Sequence, residues 1–250
     1  MLGYAAYQII TQSGQPNMDA RFRRGLGAFS RGPMKRKLES PVERAAAAKA
    51  RFSQIYEHND PRYYYRNMGT LDYILPQVAN PIFQQLIEAR YLLKKSTVNV
   101  LDLGASYGIN GALLKYPVTW DMLRNRYQMA DIERLTSRQL EKFDRNYFRS
   151  WPRHKHIHVV GLDAALPAVR YAEWTGAVDR GFAIDLETSE PDPALAATLK
   201  NIDLIISTGS VGYITDATFE RIARYTSDKN PPWVASFVLR MWPYDKISAC

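Results

Sequence analysis

The sequence predicts an α/β protein built on a mostly parallel sheet with helices on both faces. Three observations predict it. Short, nearly all-apolar stretches recur from Val98 onward, as buried strands require. Stretches with helical spacing separate them, and strand–helix alternation is the signature of parallel pairing. A glycine-bearing turn, Gly104-Ala105-Ser106-Tyr107-Gly108, joins the first such strand to a helix start. The chain has 250 residues, 46% of them hydrophobic, which supports a buried core and excludes wholesale disorder.

Taken in order, residues 1–39 carry scattered glycines and no sustained periodicity, and are expected to form a flexible basic tail. Residues 40–96 are expected to form a helical cap. Ser40-Pro41-Val42-Glu43 combines an N-cap, a proline at the first helical position and the closing Glu of a capping box. An Ala-rich helix should follow to about Glu57, where Asn59-Asp60-Pro61 breaks it. Asn80-Pro81 predicts a second helix start, with Phe83, Leu86, Ile87, Tyr91 and Leu92 at helical spacing to about Lys95.

Residues 97–250 should hold the sheet. Val98–Leu103, Ile157–Leu162, Gly181–Ile184, Leu204–Ser207 and Val234–Leu239 read as strands. Helices are expected near 109–115, 164–175, 192–200 and 216–226. Residues 115–156 break the rhythm and read as a helical insert after the first strand–helix unit. Within it, Thr136-Ser137-Arg138-Gln139 resembles a capping box, and Leu140, Phe143 and Tyr147 follow at helical spacing. The insert is expected to leave from the carboxyl side of the sheet, where open α/β folds bind ligands.

Charge and composition narrow the classes. The net charge is +8, but residues 1–38 hold seven Lys/Arg and one acid (+6), and residues 115–158 hold ten and five (+5). The remainder is therefore 8 − 6 − 5 = −3. Two basic appendages on a mildly acidic core suit solvated surfaces first, and an acidic partner or nucleic acid second. One cysteine excludes a disulfide framework and a Cys-rich zinc site. His154, His156 and His158 share a face of an extended segment and are expected at an edge of the insert, with no metal bound. No apolar run approaches about 18 residues, and the start lacks a basic n-region. A cytoplasmic protein with no membrane partner is expected.

The turn at 104–108 admits three chemistries. Its glycines, at 104, 108 and 111, do not match the dinucleotide fingerprint, and no P-loop Lys-Ser/Thr follows. Gly-Ala-Ser-Tyr-Gly matches a nucleophile elbow literally, with Ser106 as nucleophile. A hydrolase of that kind needs an acid and then a histidine downstream. None of the four histidines follows residue 158, so Asp185 and Asp203 have no later partner. The third chemistry places an acid two residues before the first glycine, as Asp102 is here.

On Asp102-Leu103-Gly104-Ala105-Ser106-Tyr107-Gly108 the sequence resembles the class I S-adenosylmethionine-dependent methyltransferases, over about residues 98–240. The family's acid-x-Gly-x-Gly-x-Gly pattern is kept except that Ser106 replaces the middle glycine. The resemblance implies S-adenosyl-L-methionine as cofactor and a Rossmann-like three-layer sandwich with strand order 3-2-1-4-5. It implies cofactor contacts from Asp102, Gly104, Ala105, Ser106 and Gly108. Val159-Val160-Gly161-Leu162-Asp163 ends the second strand in the acid that the family uses for the ribose hydroxyls, with Ala164 beside it. Asp185 and Leu186 follow the third strand where the family places the adenine, and Ser207 ends the fourth near the reacting methyl. Helices before the sheet often cover the cofactor in this family. Tyr63, Tyr64, Tyr65 and Arg66 are the corresponding residues, with surface exposure the expected state of Arg66.

No catalytic residue is assigned. Methyl transfer is an in-line displacement that chiefly needs alignment and exclusion of water, and a base only where the acceptor arrives protonated. No Asn/Asp-Pro-Pro-aromatic motif follows the fourth strand, and Cys250 is the only thiol, so adenine-amino and Cys-dependent pyrimidine methylation are not expected. The expected acceptor is a small-molecule oxygen, nitrogen or sulfur nucleophile; nucleic acid, docked on the basic insert, is the less favoured partner. A non-catalytic, methyltransferase-like interaction protein is the alternative class. Trp120, Met122, Tyr127, Phe143, Tyr147, Phe148 and Trp151 either line a pocket under an insert lid or pack the insert's own core. The family's last strand hairpin does not fit in the residues after Leu239. The fifth strand's edge is therefore expected to pair with a second copy or to be partly covered by Trp242, Pro243 and Tyr244.

Overall fold

The computed structural model describes residues 55–70, 73–211, 213–227 and 229–238. The tail at 1–39, the start of the Ala-rich helix at Ser40, and Trp242, Pro243, Tyr244 and Cys250 lie outside the described residues.

Five parallel strands form one sheet in the order β3-β2-β1-β4-β5. They are β1 (Val98–Leu103), β2 (Ile157–Asp163), β3 (Arg180–Ala183), β4 (Leu204–Thr208) and β5 (Trp233–Phe237). The alternation of side chains sorts the apolar residues onto two faces. Val98, Val100, Val159, Leu204 and Ile206 join one buried cluster, while Leu101, Leu103, Val160, Leu162 and Ile205 join the other. The first face is covered by α1 (Arg62–Thr70), α2 (Leu75–Lys94) and α3 (Ile109–Lys115), and by α4 (Trp120–Arg126), α5 (Ala130–Glu133) and α6 (Ser137–Arg149) of the insert. Residues of α7 (Leu166–Thr175) close that core, and α8 (Pro193–Leu199) and α9 (Asp216–Tyr225) cover the other face. This is the Rossmann-like three-layer sandwich that the sequence predicts.

Local signals explain most boundaries. In α6, Thr136 Oγ1 accepts from the Gln139 amide at 3.3 Å and Gln139 Oε1 accepts from the Thr136 amide at 2.9 Å, a complete capping box. Asp192 caps α8 by accepting from Leu195 N at 2.7 Å. Asp163 does not cap a helix at Ala164. Its Oδ1 accepts from Ala165 N, turning the chain, and α7 begins at Leu166 with a proline in its first turn.

Two expectations are corrected. The second helix starts at Leu75, not at Asn80-Pro81. Pro76 occupies the first turn, where its missing N–H costs nothing, and Pro81 lies inside the helix. The carbonyl that Pro81 leaves without an intrahelical donor belongs to exposed Gln77, so water can take it. The insert, moreover, begins and ends at the amino side of the sheet. Lys115 O accepts from His154 N, and His156 O accepts from Val98 N at the first residue of β1. The reason is topological: a helix following a parallel strand runs back antiparallel to it, so α3 returns the chain to the amino end before the insert departs.

The insert shares the main core. Trp120, Leu123, Tyr127, Ile132, Leu140 and Phe148 belong to the same cluster as Val98 and Val100. Arg62 ties the N-terminal segment to it, donating through Nη1 to the carbonyls of Ile132, Glu133 and Leu135 while Nε and Nη2 hold Asp60.

Candidate active site at the carboxyl end of the sheet

The glycines of the turn are explained by backbone and packing alone. Gly104 and Gly108 both have φ +77, in the left-handed region. A Cβ on Gly104 would meet Ser210 Cβ at 2.5 Å, and one on Gly108 would meet Ala177 Cβ at 2.8 Å. Ser106 has φ +51 and does carry a Cβ, a strain of about 1–2 kcal/mol. Ala105 packs on β2, where a Cβ on Gly161 would meet its own at 3.1 Å.

The carboxylates are not explained that way. Asp102 is fully buried at the end of β1, on the face covered by α3. Its Oδ1 accepts from Asn110 Nδ2 at 2.9 Å, and its Oδ2 has no partner among the described residues. Burial, set against the Asn110 bond and helped by the charge of Asp163, pushes its pKa up to about 7. Asp163, at the end of the neighbouring β2, accepts from Ser106 N through Oδ2 at 2.8 Å and from Ala165 N through Oδ1 at 2.9 Å. Burial raises its pKa too, against backbone bonds from Ala165, Ser106 and Ala164. Among the described residues neither acid forms an ion pair. Ser106 Oγ, beside them in the turn, is also buried without a partner.

Tyrosines wall this space. Burial raises the pKa of Tyr56, Tyr64 and Tyr73, with smaller contributions from Asp163 at Tyr56 and from Asp102 at Tyr64 and Tyr73. Tyr73 Oη donates to Thr208 O at 3.3 Å, and Tyr107 Oη donates to His58 O at 2.8 Å, pinning the N-terminal segment over the turn. Tyr213, after β4, lies close enough to raise Tyr56 and Tyr73 further. Sequence reasoning missed Tyr56, Tyr73, Tyr213 and Asn110. Only Asn110, in the first turn after the glycines, sat where the motif itself was a guide.

The other expected residues divide. Ser207 is buried at the end of β4, its Oγ 2.5 Å from Ser210 Oγ, which donates onward to Leu103 O. Ala164, next to Asp163 in the chain, is exposed. Asp185 is exposed and accepts from the Glu187 amide at 2.9 Å, a local turn. Leu186 is buried in the opposite core, its carbonyl taken by Arg221. Tyr64 and Tyr65 are buried, whereas Tyr63 is exposed against His58. Arg66 is exposed and paired with Glu133 at 2.7 Å. Of the insert aromatics, Trp120, Tyr127 and Phe148 pack in the core, Met122 and Phe143 are exposed, and Tyr147 and Trp151 pack against the core, so they do not form one lid pocket. Trp120 alone approaches the tyrosine wall, 6.2 Å from the Tyr73 ring.

Ser106 has the strained conformation of a nucleophile elbow but not its partners. Among the described residues its Oγ meets no imidazole, and Asp203 lies at the amino end of β4, paired with Lys94 at 2.7 Å. With no base and an acid at the wrong end of the sheet, the arrangement cannot activate a serine.

The groups present fit a cationic nucleoside: among the described residues, one buried and one half-buried acid without ion pairs, a hydroxyl without a partner, and tyrosines near both acids. No family model and no curated protein matches the sequence. Among solved structures, the plantazolicin methyltransferase BpumL in complex with SAH is similar at 15% identity and TM-score 0.37, over 75% of this chain and 58% of that one. The same methyltransferase with a pentazolic desmethylPZN analog and SAH gives 15% and 0.36, over 74% and 58%. EvdMO1 gives 16% and 0.31, over 57% and 26%. The chain thus spans less than two thirds of each. The strand order and register, not these likenesses, define the fold.

Proposed function

We propose that the chain is an S-adenosylmethionine-dependent methyltransferase acting on a small-molecule oxygen, nitrogen or sulfur nucleophile. The observation that carries this reading is the pair Asp102, fully buried, and Asp163, half-buried, at the ends of adjacent strands, neither in an ion pair among the described residues. Two such acids are costly unless something positive arrives. A sulfonium nucleoside brings an ammonium group and a sulfonium charge together.

When bound, S-adenosylmethionine would supply an electrophilic methyl group. Asp102 Oδ2 would accept from the ammonium group. Asp163 keeps lone pairs free for the ribose hydroxyls, because each carboxylate oxygen can accept more than once. Ser106 Oγ is a further hydrogen-bonding group at the turn. Tyr56, Tyr64 and Tyr73 would exclude water from the reacting methyl, which strengthens every charge interaction in the site. The residues bind and orient; none is assigned as a base.

A non-catalytic binding protein would use the same acids and show no turnover. Calorimetric titration with S-adenosylhomocysteine, followed by assay of methyl consumption with candidate acceptors, separates the two. Asp163→Ala is expected to weaken binding at least about tenfold, the loss of one charge-assisted contact, while Ser106→Ala leaves it within about threefold. Full binding by Asp163→Ala would remove the ribose assignment.

A further inference from the structure

A second site lies at the opposite end of the molecule. Between α6 of the insert and the carboxyl end of α7 is a groove of about 420 Å³, whose lining includes Lys115, Arg145, Arg149, Trp151, Arg153 and Trp174. With Glu173 and Asp179 also on its wall, the lining carries four cations and two anions, a net of +2. Its floor is internally neutralised. Asp179 takes Lys115 Nζ at 2.7 Å and Arg153 Nη2 at 2.9 Å, and Lys115 Nζ and Tyr116 Oη both donate to Gly176 O at the carbonyl end of α7.

Its rim is not neutralised. Arg145 and Arg149 stand one turn apart on the same face of α6, and among the described residues neither forms an ion pair. Like charges at that spacing weaken a helix slightly, so the fold gains nothing from the pair. The Arg145 guanidinium lies 4.6 Å from the centre of the Trp174 ring, and Trp174 is 52% exposed, an unusual state for so large an apolar side chain. Trp151 lines the same groove.

We propose that this groove binds a nucleoside monophosphate unit, either free or as part of a single strand. Two guanidiniums in one row, neither with a carboxylate partner among the described residues, match a phosphate, whose oxygens take forked donors. The exposed Trp174 face offers a stacking platform for a base, and the cavity has the volume of a small-molecule site. The groove sits at the amino end of the strands, so it is separate from the carboxylate pair at the carboxyl end.

The test is a binding titration of the full chain, read by tryptophan quenching for small ligands and by anisotropy for a labelled strand. Saturating S-adenosylhomocysteine is present to occupy the carboxyl-end site, and the Arg149 and Trp174 variants assign any binding that remains to the groove. The probes are uridine monophosphate, uridine, inorganic phosphate and a ten-nucleotide oligouridylate. Uridine monophosphate is expected to bind at least about tenfold tighter than uridine or phosphate alone, since one stacked base contributes about 1–3 kcal/mol. Equal affinity for the monophosphate and the strand identifies a free nucleotide; a tighter strand with steep salt dependence identifies nucleic acid. Arg149→Gln and Trp174→Ala should each weaken binding about tenfold while Trp174→Phe retains it, with melting temperatures unchanged for these exposed positions. Phosphate binding as tightly as the monophosphate, no binding by either nucleotide probe, or indifference to both substitutions would overturn the proposal.

Discussion

Asp102 and Asp144 are both fully buried, yet the two regions that hold them treat the charge in opposite ways. In the insert, Asp144 is surrounded. Arg126 Nη2 donates at 2.7 Å, Tyr127 Oη at 2.6 Å, and Tyr171 Oη from α7 completes the set. In the glycine turn, Asp102 receives one amide hydrogen bond and keeps an oxygen with nothing to accept from. The first arrangement joins an insert to a core helix. The second leaves one carboxylate oxygen without a donor among the described residues. Burial alone therefore does not mark a functional acid; burial without compensation makes one a candidate.

The largest effect that tests this contrast is expected at Asp144. Asp144→Ala strands Arg126 and two tyrosine hydroxyls, and should cost about 3–5 kcal/mol in a urea melt. A loss below about 1 kcal/mol would mean that the network does not hold the insert.

Asp102→Asn should have the opposite sign in the unliganded protein. The amide keeps an oxygen for Asn110 Nδ2 and removes the unpaired charge. Because the folded pKa of Asp102 is raised to about 7 from the ordinary 3.8, its contribution to stability is fully present below pH 3.8 and is lost as pH rises to about 7. The stability gap in favour of the variant should thus open between about pH 4 and 7 and stay level above that, reaching on the order of 4 kcal/mol. A gap that does not change with pH would show that Asp102 titrates normally.

The smallest effect is expected at the strained serine. Ser106→Gly relieves the left-handed backbone and deletes an orphaned hydroxyl, against the extra freedom of glycine in the unfolded chain. A net gain of about 1 kcal/mol is expected from chemical denaturation. Destabilisation would mean that Ser106 Oγ has a structural partner in solution.

Much of this architecture was legible because local rules agreed with the global fold. The alternation that sends Val98 and Val100 to one face and Leu101 and Leu103 to the other is written in the strand itself. So is the Thr136–Gln139 capping box. Asp102 and Asp163 were singled out by the resemblance to the methyltransferase motifs, and the structure brings them to the same end of neighbouring strands. Asn80-Pro81 misled because proline reads as a helix start, and only tertiary packing shows that the start is Leu75. Tyr56, Tyr73 and Tyr213 were invisible because they come from separate segments, joined only by the sheet between them. The groove at Trp174 was hidden for the same reason: the insert supplies one wall and α7 the other.

The most direct test is proton release on ligand binding. Titration of the protein with S-adenosylhomocysteine at pH 6.5, in two buffers of different ionisation enthalpy, counts protons exchanged per site. The account expects a large fraction of a proton to leave Asp102 as the ammonium group arrives, and none to leave in Asp102→Asn. Binding with no proton release, or no binding at all, would contradict it.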